Sequence, residues 1–403
     1  MKIENLAACT GCHACFSVCL KGAIVMAAND EGFLYPQIDV VKCVRCGQCE
    51  RVCPALSPLR KEGEDTRAFA AINNDEKIRL ESSSGGIFSA LAQKVIDAGG
   101  AVFGAKFAPD FSIVHGWTDT AEGLADFRGS KYVQSVIGDS FKECKRFLDG
   151  SRKVLFSGTP CQIQGLKKYL GKEYENLLAV DCICHGVPSP LVWQKYVDFR
   201  AEKFGATRQE IVKTSFRRKN DGWKMYSLSF TFANDSEYIE PLNRDPYMQM
   251  FLRDECLRGS CYDCSCKSVA RFSDITLADF WGVQTEVPDM DDDKGTSFLV
   301  VHSGKCTQAL KSLENCTVRE VALDAGLRHN PSLVKSVSRP QKRETFFRDL
   351  NALRFEKVIR RYATTPLYVR AYRFARRCTA KVIKLVVGKN NVERIKQACR
   401  SGA

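Results

Sequence analysis

Apolar positions recur with two periods along this chain. AFAAIN (68–73), AVFGAKF (101–107), KVLFSG (153–158) and LLAVDCI (177–183) are short apolar runs of strand length. IFSALAQKVIDAGG (87–100) and QIQGLKKYLG (162–171) carry apolar residues at helical spacing and end in Gly. The alternation predicts an α/β (mixed α+β) body with some parallel strands. In MYSLSFTFAND (225–235), Tyr226, Leu228, Phe230 and Phe232 alternate with Ser227, Ser229 and Thr231, which predicts a strand with one exposed face. In LYVRAYRFARRCTAKVIKLVV (367–387), apolar residues fall on one helical arc and Arg370, Arg373, Arg377, Lys381 and Lys384 on another, after Pro366. That predicts a basic amphipathic helix.

Pro- and charge-rich PALSPLRKEGEDTR (54–67) interrupts both periods and reads as a linker. The expected organisation is a small module over 1–60, the two parts of the body over 61–140 and 141–335, and a basic helical tail over 336–403. At 403 residues the chain is long enough for two or three domains. No apolar run approaches a membrane span, and no apolar signal core precedes the first Cys. A cytoplasmic, reducing location is expected, where clustered thiols read as metal ligands rather than disulfides.

The net charge of +13 is local. Residues 341–403 hold 17 Lys+Arg and 4 Asp+Glu, leaving 43 of each in residues 1–340. A basic tail on a neutral body suits an acidic protein or an anionic membrane surface, giving peripheral attachment at the inner membrane face; a helix packed on the body is the alternative. No nucleic-acid-binding module accompanies it, so nucleic acid is not an expected partner.

Eight of the 20 Cys lie in residues 1–54. Cys9, Cys12, Cys15 and Cys19 form C-x2-C-x2-C-x3-C, and Cys43, Cys46, Cys49 and Cys53 repeat it, with Pro54 following. Three thiolates two residues apart wrap one iron–sulfur cube, and the displaced fourth ligates the neighbouring cube. The expected ligand sets are Cys9, Cys12, Cys15 and Cys53 for one [4Fe–4S] cluster, and Cys43, Cys46, Cys49 and Cys19 for the other. Zinc usually separates two Cys pairs by a longer loop, unlike this spacing. Gly11 and Gly47 sit where backbone must approach sulfide. The segment resembles a bacterial two-cluster ferredoxin, except that Leu20, not Pro, follows Cys19.

Four phrases in the body carry a second resemblance: SSSGGIFSALA (82–92), RGSKYVQS (128–135), LFSGTPCQIQGLKKYL (155–170) with CHGVPSPLVW (184–193), and CYDCSCKSVARFSDITLADFWG (261–282). Together they resemble the coenzyme F420 hydrogenase/dehydrogenase beta-subunit family, which includes the plant hydroxymethyl-chlorophyll reductases. The resemblance covers residues 1–330 and implies FAD and a further [4Fe–4S] cluster. Cys161, Cys184, Cys261 and Cys264 fall within its phrases and are the expected ligands. Cys182, Cys256 and Cys266 fall outside the recognised positions. For the flavin the expected residues are Ser84, Gly85 and Gly86 before a helix, Lys131, and Gly158 and Thr159 at a strand end. An ordinary helix cap and a plain strand–turn–helix junction compete with this assignment.

His185 suits a proton relay or a bond to backbone, and Asp274 and Asp279 suit either a ribityl contact or a strand end. Arg217, Arg218 and Lys219 form a basic run that reads as a solvated loop, with a site for an acidic substrate as the alternative. The resulting expectation is a flavin- and iron–sulfur-dependent oxidoreductase that exchanges electrons with a ferredoxin or redox partner subunit and acts on a small-molecule acceptor. A non-catalytic electron-transfer subunit and a scaffold with structural clusters are the rivals. No catalytic acid is assigned.

Overall fold

The computed structural model describes residues 2–4, 6–59 and 66–364. The amphipathic segment 367–387 and Cys378 and Cys399 lie outside these residues. Among the described residues, no helix is long and apolar enough to cross a membrane.

The N-terminal module is built from two short helices, α1 (Ala14–Val18) and α2 (Gln48–Arg51), and an antiparallel pair, β1 (Ile24–Ala28) and β2 (Leu34–Ile38). Its two cysteine motifs share one backbone trace. Positive φ occurs at Gly11 (67°) and His13 (62°) in the first, and at Arg45 (53°) and Gly47 (74°) in the second. These are the same two places in each motif, so the turns that aim the thiols are repeated even where the residue is not Gly. A non-Gly residue there costs roughly 1 kcal/mol of backbone strain.

The body is organised on an eight-stranded sheet. Its strands are β3 (Arg67–Asn73), β4 (Ala101–Phe107), β5 (Ile113–Thr118), β6 (Val154–Gly158), β7 (Leu177–Cys182), β11 (Ile275–Asp279), β12 (Ser297–Val301) and β13 (Cys316–Val321). The order is β13-β3-β12-β11-β7-β6-β4-β5. β11, β7, β6 and β4 are parallel neighbours, and β3 shares their direction through two antiparallel steps across β12. Their carboxyl ends therefore lie on one edge, where parallel sheets commonly hold ligands. Strands from both parts of the body enter this one sheet.

Helices α3 (Glu76–Glu81), α4 (Ile87–Asp97), α5 (Ser140–Asp149), α6 (Pro160–Leu170) and α7 (Pro190–Lys203) follow strands of the sheet or its connections. An antiparallel sheet of β8 (Ile211–Arg218), β9 (Ser227–Phe232) and β10 (Glu237–Pro241), followed by α8 (Pro246–Leu252), forms a second layer. Its core is aromatic: Trp193 and Tyr196 of α7 pack on Phe216, Phe230 and Tyr247.

Two expectations change here. β9 is central between β8 and β10, and its Ser227 and Ser229 are buried with the apolar face, so neither face is open. Residues beyond 336 are also not uniformly peripheral. The helix Arg343–Ala352 and the turns after it bury Phe346, Phe347, Leu350, Val358 and Tyr362 in the same aromatic core. Their apolar spacing was obscured in the sequence by the surrounding basic residues.

Candidate iron–sulfur and flavin sites

In the N-terminal module, Cys9, Cys12, Cys15 and Cys53 converge on one pocket, lined also by Thr10, Gly11, His13, Met26, Pro36 and Pro54. Burial pushes the Cys12 thiol up to about 12, with Cys9 and Cys53 adding to it. Cys15 is pushed up by burial and by the same neighbours. Four soft donors in an apolar pocket fit a cluster that binds them as thiolates and so removes the unfavourable free thiolate. In the second set, Cys46 lies beside Cys49, and Cys19 packs against the small cluster of Ile3, Ile24 and Cys49. Cys46 is exposed. Among the described residues no three His, Cys, Asp or Glu side chains form a single-ion site.

The module is clamped to the body on its first motif. Arg258, fully buried, donates from Nε to the Cys9 carbonyl (2.8 Å), from Nη2 to the Leu34 carbonyl (3.0 Å) and from Nη1 to Gln134 Oε1 (3.0 Å), and lies over the Tyr35 ring at 4.1 Å. Gln134 Nε2 in turn donates to the Thr10 carbonyl at 3.0 Å. A Cβ on Gly11 would fall 2.5 Å from Gln134 Nε2 and 3.0 Å from Arg258 Nη1, so the docking favours Gly here beyond the preference set by φ. Arg343 adds a bidentate pair to Glu31 (2.7 and 2.5 Å).

The body thiols expected to ligate a cluster also converge. Cys161 stands in the first turn of α6, directly after β6, and Cys184 follows β7. Cys261 and Cys264 lie in the turn Gly259–Asp263 and just after it. Burial pushes Cys161 up to about 12, and the charges of Cys264, Cys261 and Cys12 act on it too. Cys184 is raised by burial, with Cys182, Cys261 and Cys161 contributing. Val187 N–H donates to Cys261 Sγ at 3.4 Å. Cys266, left out by sequence reasoning, is buried beside Cys264 and Cys161 and hydrogen-bonds to Cys264. Its C-x-C spacing was the available signal. Cys256 is buried elsewhere, near Tyr247.

The residues expected at a flavin gather near the carboxyl edge of the sheet, and several already have protein partners. Ser84 Oγ donates to the Thr296 carbonyl (2.7 Å), and Gly85 N–H donates to Ser297 Oγ (3.0 Å). Gly86 caps α4 at φ 83°. Thr159 forms a reciprocal cap with Gln162 at the start of α6. Lys131 Nζ donates to the Asp126 and Arg128 carbonyls (2.7 and 2.9 Å), and burial pulls its pKa down to about 7. Ser83 joins the two loops through Ser130 Oγ (2.8 Å).

Two further groups occupy this edge. His115, inside β5, shares a 3.1 Å bond between Nε2 and the Ser157 carbonyl, stacks on Phe156, and has a buried Nδ1 with no protein partner. A Cβ on Gly158 would lie 3.7 Å from its Nε2. The orphaned atom is thus on the other side of the ring from the Ser157 bond, and a buried ring nitrogen without a partner among the described residues fits a polar group of a bound cofactor. No sequence signal marked His115. Arg217 is buried, not solvated: it forms a bidentate pair with Asp279 (both 2.9 Å) and donates to the Ser83 carbonyl, with its own Nε unpartnered. Lys219 Nζ is held by the Arg79, Ser84 and Lys294 carbonyls. Asp279 thus ends β11 as a counter-charge, while Asp274 Oδ2 accepts from Ala179 N–H (2.8 Å). His185 Nε2 pairs with Asp254 at 2.6 Å rather than with backbone.

Known proteins match the same two regions. Residues 8–56 match the 4Fe-4S dicluster domain, and residues 151–323 match the family described as the C-terminal region of the coenzyme F420 hydrogenase/dehydrogenase beta subunit. The coenzyme F420-dependent sulfite reductase of Methanocaldococcus jannaschii is 29% identical over 173 residues, 41% of this chain and 26% of that protein. The chain therefore spans about a quarter of the length of that curated relative. A chain of the F420-reducing [NiFe] hydrogenase complex from Methanosarcina barkeri superposes with TM-score 0.41 at 16% identity, over 64% of this chain and 82% of that one. The chain thus carries, in order, a region that matches a 4Fe-4S dicluster domain and a region that matches the C-terminal part of the coenzyme F420 hydrogenase/dehydrogenase beta subunit.

Proposed function

We propose that this protein is an iron–sulfur flavoprotein oxidoreductase that moves electrons between its dicluster module and a small molecule or coenzyme. Cys9, Cys12, Cys15 and Cys53 would hold one [4Fe–4S] cluster, and Cys43, Cys46, Cys49 and Cys19 the second. Cys161, Cys184, Cys261 and Cys264 would hold a third, and Ser84, Gly85, Gly86, Lys131, Gly158 and Thr159 would border FAD. Bound FAD supplies the exchange between one-electron and two-electron chemistry. The chain's own residues would position it: α4 would present its N-terminal N–H groups, and His115, whose Nδ1 has no hydrogen-bond partner among the described residues, stands beside Gly158.

One observation carries the reading. A Cβ on Gly165 of α6 would stand 2.9 Å from both Cβ and Sγ of Cys12, one turn from Cys161 on the same helix. A first-module ligand and a body thiol therefore share one helix face, which supports a short route between the two thiol sets. The test is anaerobic purification with iron, sulfide and flavin quantified together. About twelve irons and one flavin per chain are expected from three four-iron clusters; zinc without iron would overturn the reading.

The second reading is an electron-transfer subunit that feeds a partner enzyme. The matched family is described as a beta subunit, and the curated relative extends well beyond the matched region. A stoichiometric redox subunit that co-purifies, and without which no small molecule is turned over, would favour it.

A further inference from the structure

We infer that the exposed tip of the dicluster module is the docking surface for a small electron-carrier protein whose own contact face is apolar at its centre and acidic at its rim. This rests on the redox reading above. Of the ten exposed large apolar side chains among the described residues, five lie in the module: Leu20, Val25, Val40, Val41 and Val44. Leu20 and Val41 are 98% and 92% exposed. Leu20 follows Cys19, and Val40, Val41 and Val44 flank Cys43, so four of the five border the second set of thiols; the bond from Asp39 N–H to the Ala23 carbonyl (2.8 Å) ties the two turns together. Isolated exposed apolar residues are common, but a grouped patch marks an interaction site.

The two motifs differ in a way that locates the free end. The earlier of the two left-handed positions in the first motif is Gly11, against which Gln134 and Arg258 of the body press. The matching position in the second is Arg45, whose side chain is exposed. The body thus covers the first set of thiols and leaves the second facing outward, with Cys46 at the surface. An electron entering or leaving there needs a partner close to Cys46, which lies two residues from the exposed Val44.

Charge selects the partner. Lys21, Lys42, Arg45 and Arg51 are exposed in the module; Lys42 and Asp39 offset each other, so the positive rim rests on Lys21, Arg45 and Arg51. A basic rim around an apolar centre speeds encounter with an acidic protein and disfavours a basic one.

The experiment uses the full, cluster-loaded chain and follows cluster bleaching by stopped flow, with a reduced acidic bacterial-type ferredoxin or with dithionite as donor. The ferredoxin rate should fall roughly tenfold in L20S/V41S, and K21E/K42E should lose most of the salt dependence seen in wild type. Dithionite rates and iron content should match wild type in both variants. Equal ferredoxin rates in wild type and L20S/V41S would overturn the docking site, as would a rate indifferent to salt. A concentration-dependent dimer abolished by L20S/V41S would assign the patch to a second copy and also overturn it. Failure of dithionite to bleach the wild-type clusters would instead count against the redox reading itself.

Discussion

Arg258 Nη2 lies 3.5 Å from Cys9 Sγ, and its Nε donates to the carbonyl of the same residue. A buried guanidinium thus touches one of the four thiols expected to hold a cluster, and among the described residues its hydrogen-bond partners are carbonyls, Gln134 and the thiol itself. Positive charge and N–H donors beside a cluster sulfur favour its reduced, more negative state. Arg258→Met should therefore lower the midpoint potential of one cluster by tens of millivolts and leave the others unchanged. Redox titration followed by electron paramagnetic resonance measures this; uniform shifts or none would refute it.

Gly165 sets a contest between two effects. Ala is worth about 1 kcal/mol more than Gly in a helix interior. Here the added methyl would meet Cys12 at 2.9 Å, and overpacking costs about 1–3 kcal/mol. Overpacking should win, so Gly165→Ala loosens the module from the body. Faster proteolysis within the 54–67 linker, with no gain in denaturation midpoint, is the expected result.

The body thiols allow a direct comparison. Cys161→Ser and Cys184→Ser should each remove about four irons per chain, the content of one cluster. Cys266→Ser should keep that iron, because a hydroxyl can still donate to Cys264. Iron analysis after anaerobic reconstitution separates these outcomes, and equal loss from all three variants would place Cys266 among the ligands.

His115 provides a pH signature. Burial pulls its pKa down to about 4, while the unfolded value lies near 6.5. The folded state then binds fewer protons than the unfolded state between these values. Stability from this group is intact above about pH 6.5 and is lost as pH falls toward about 4, at up to about 1.4 kcal/mol per pH unit. His115→Gln should flatten the difference in denaturant midpoint between about pH 5 and about pH 6.5; an unchanged slope would show that His115 does not carry it.

Truncation should depend sharply on where it begins. Removing 365–403 leaves every core contact described above in place, and cluster and flavin content should match the full chain. Removing 341–403 also takes Phe346, Phe347, Leu350 and Tyr362 from the core and Arg343 from Glu31. At about 3–5 kcal/mol per large aromatic lost, that truncation should not fold. Soluble yield and iron content after expression of both forms check this.

The linear order of residues was sufficient for the local features. Cysteine spacing located both thiol motifs, because ligand geometry acts over a few bonds. Apolar period located β4 at Ala101–Phe107 and β6 near its observed ends, because strand and helix periods are properties of adjacent residues. What faces what was decided only by tertiary structure. Arg217 looked like part of a solvated run until β11 brought Asp279 across from it. His115 carried no signal because its importance comes from Ser157 and Gly158 on a different strand. The basic stretch after 336 hid a core helix because burial depends on the aromatic surface supplied by α7 and β9. Cys266 joined the body thiols, and Gly165 met Cys12, because the folded module docks on α6. Spacing along a chain defines a turn, but contacts between residues hundreds of positions apart exist only once the sheet and its helices have assembled.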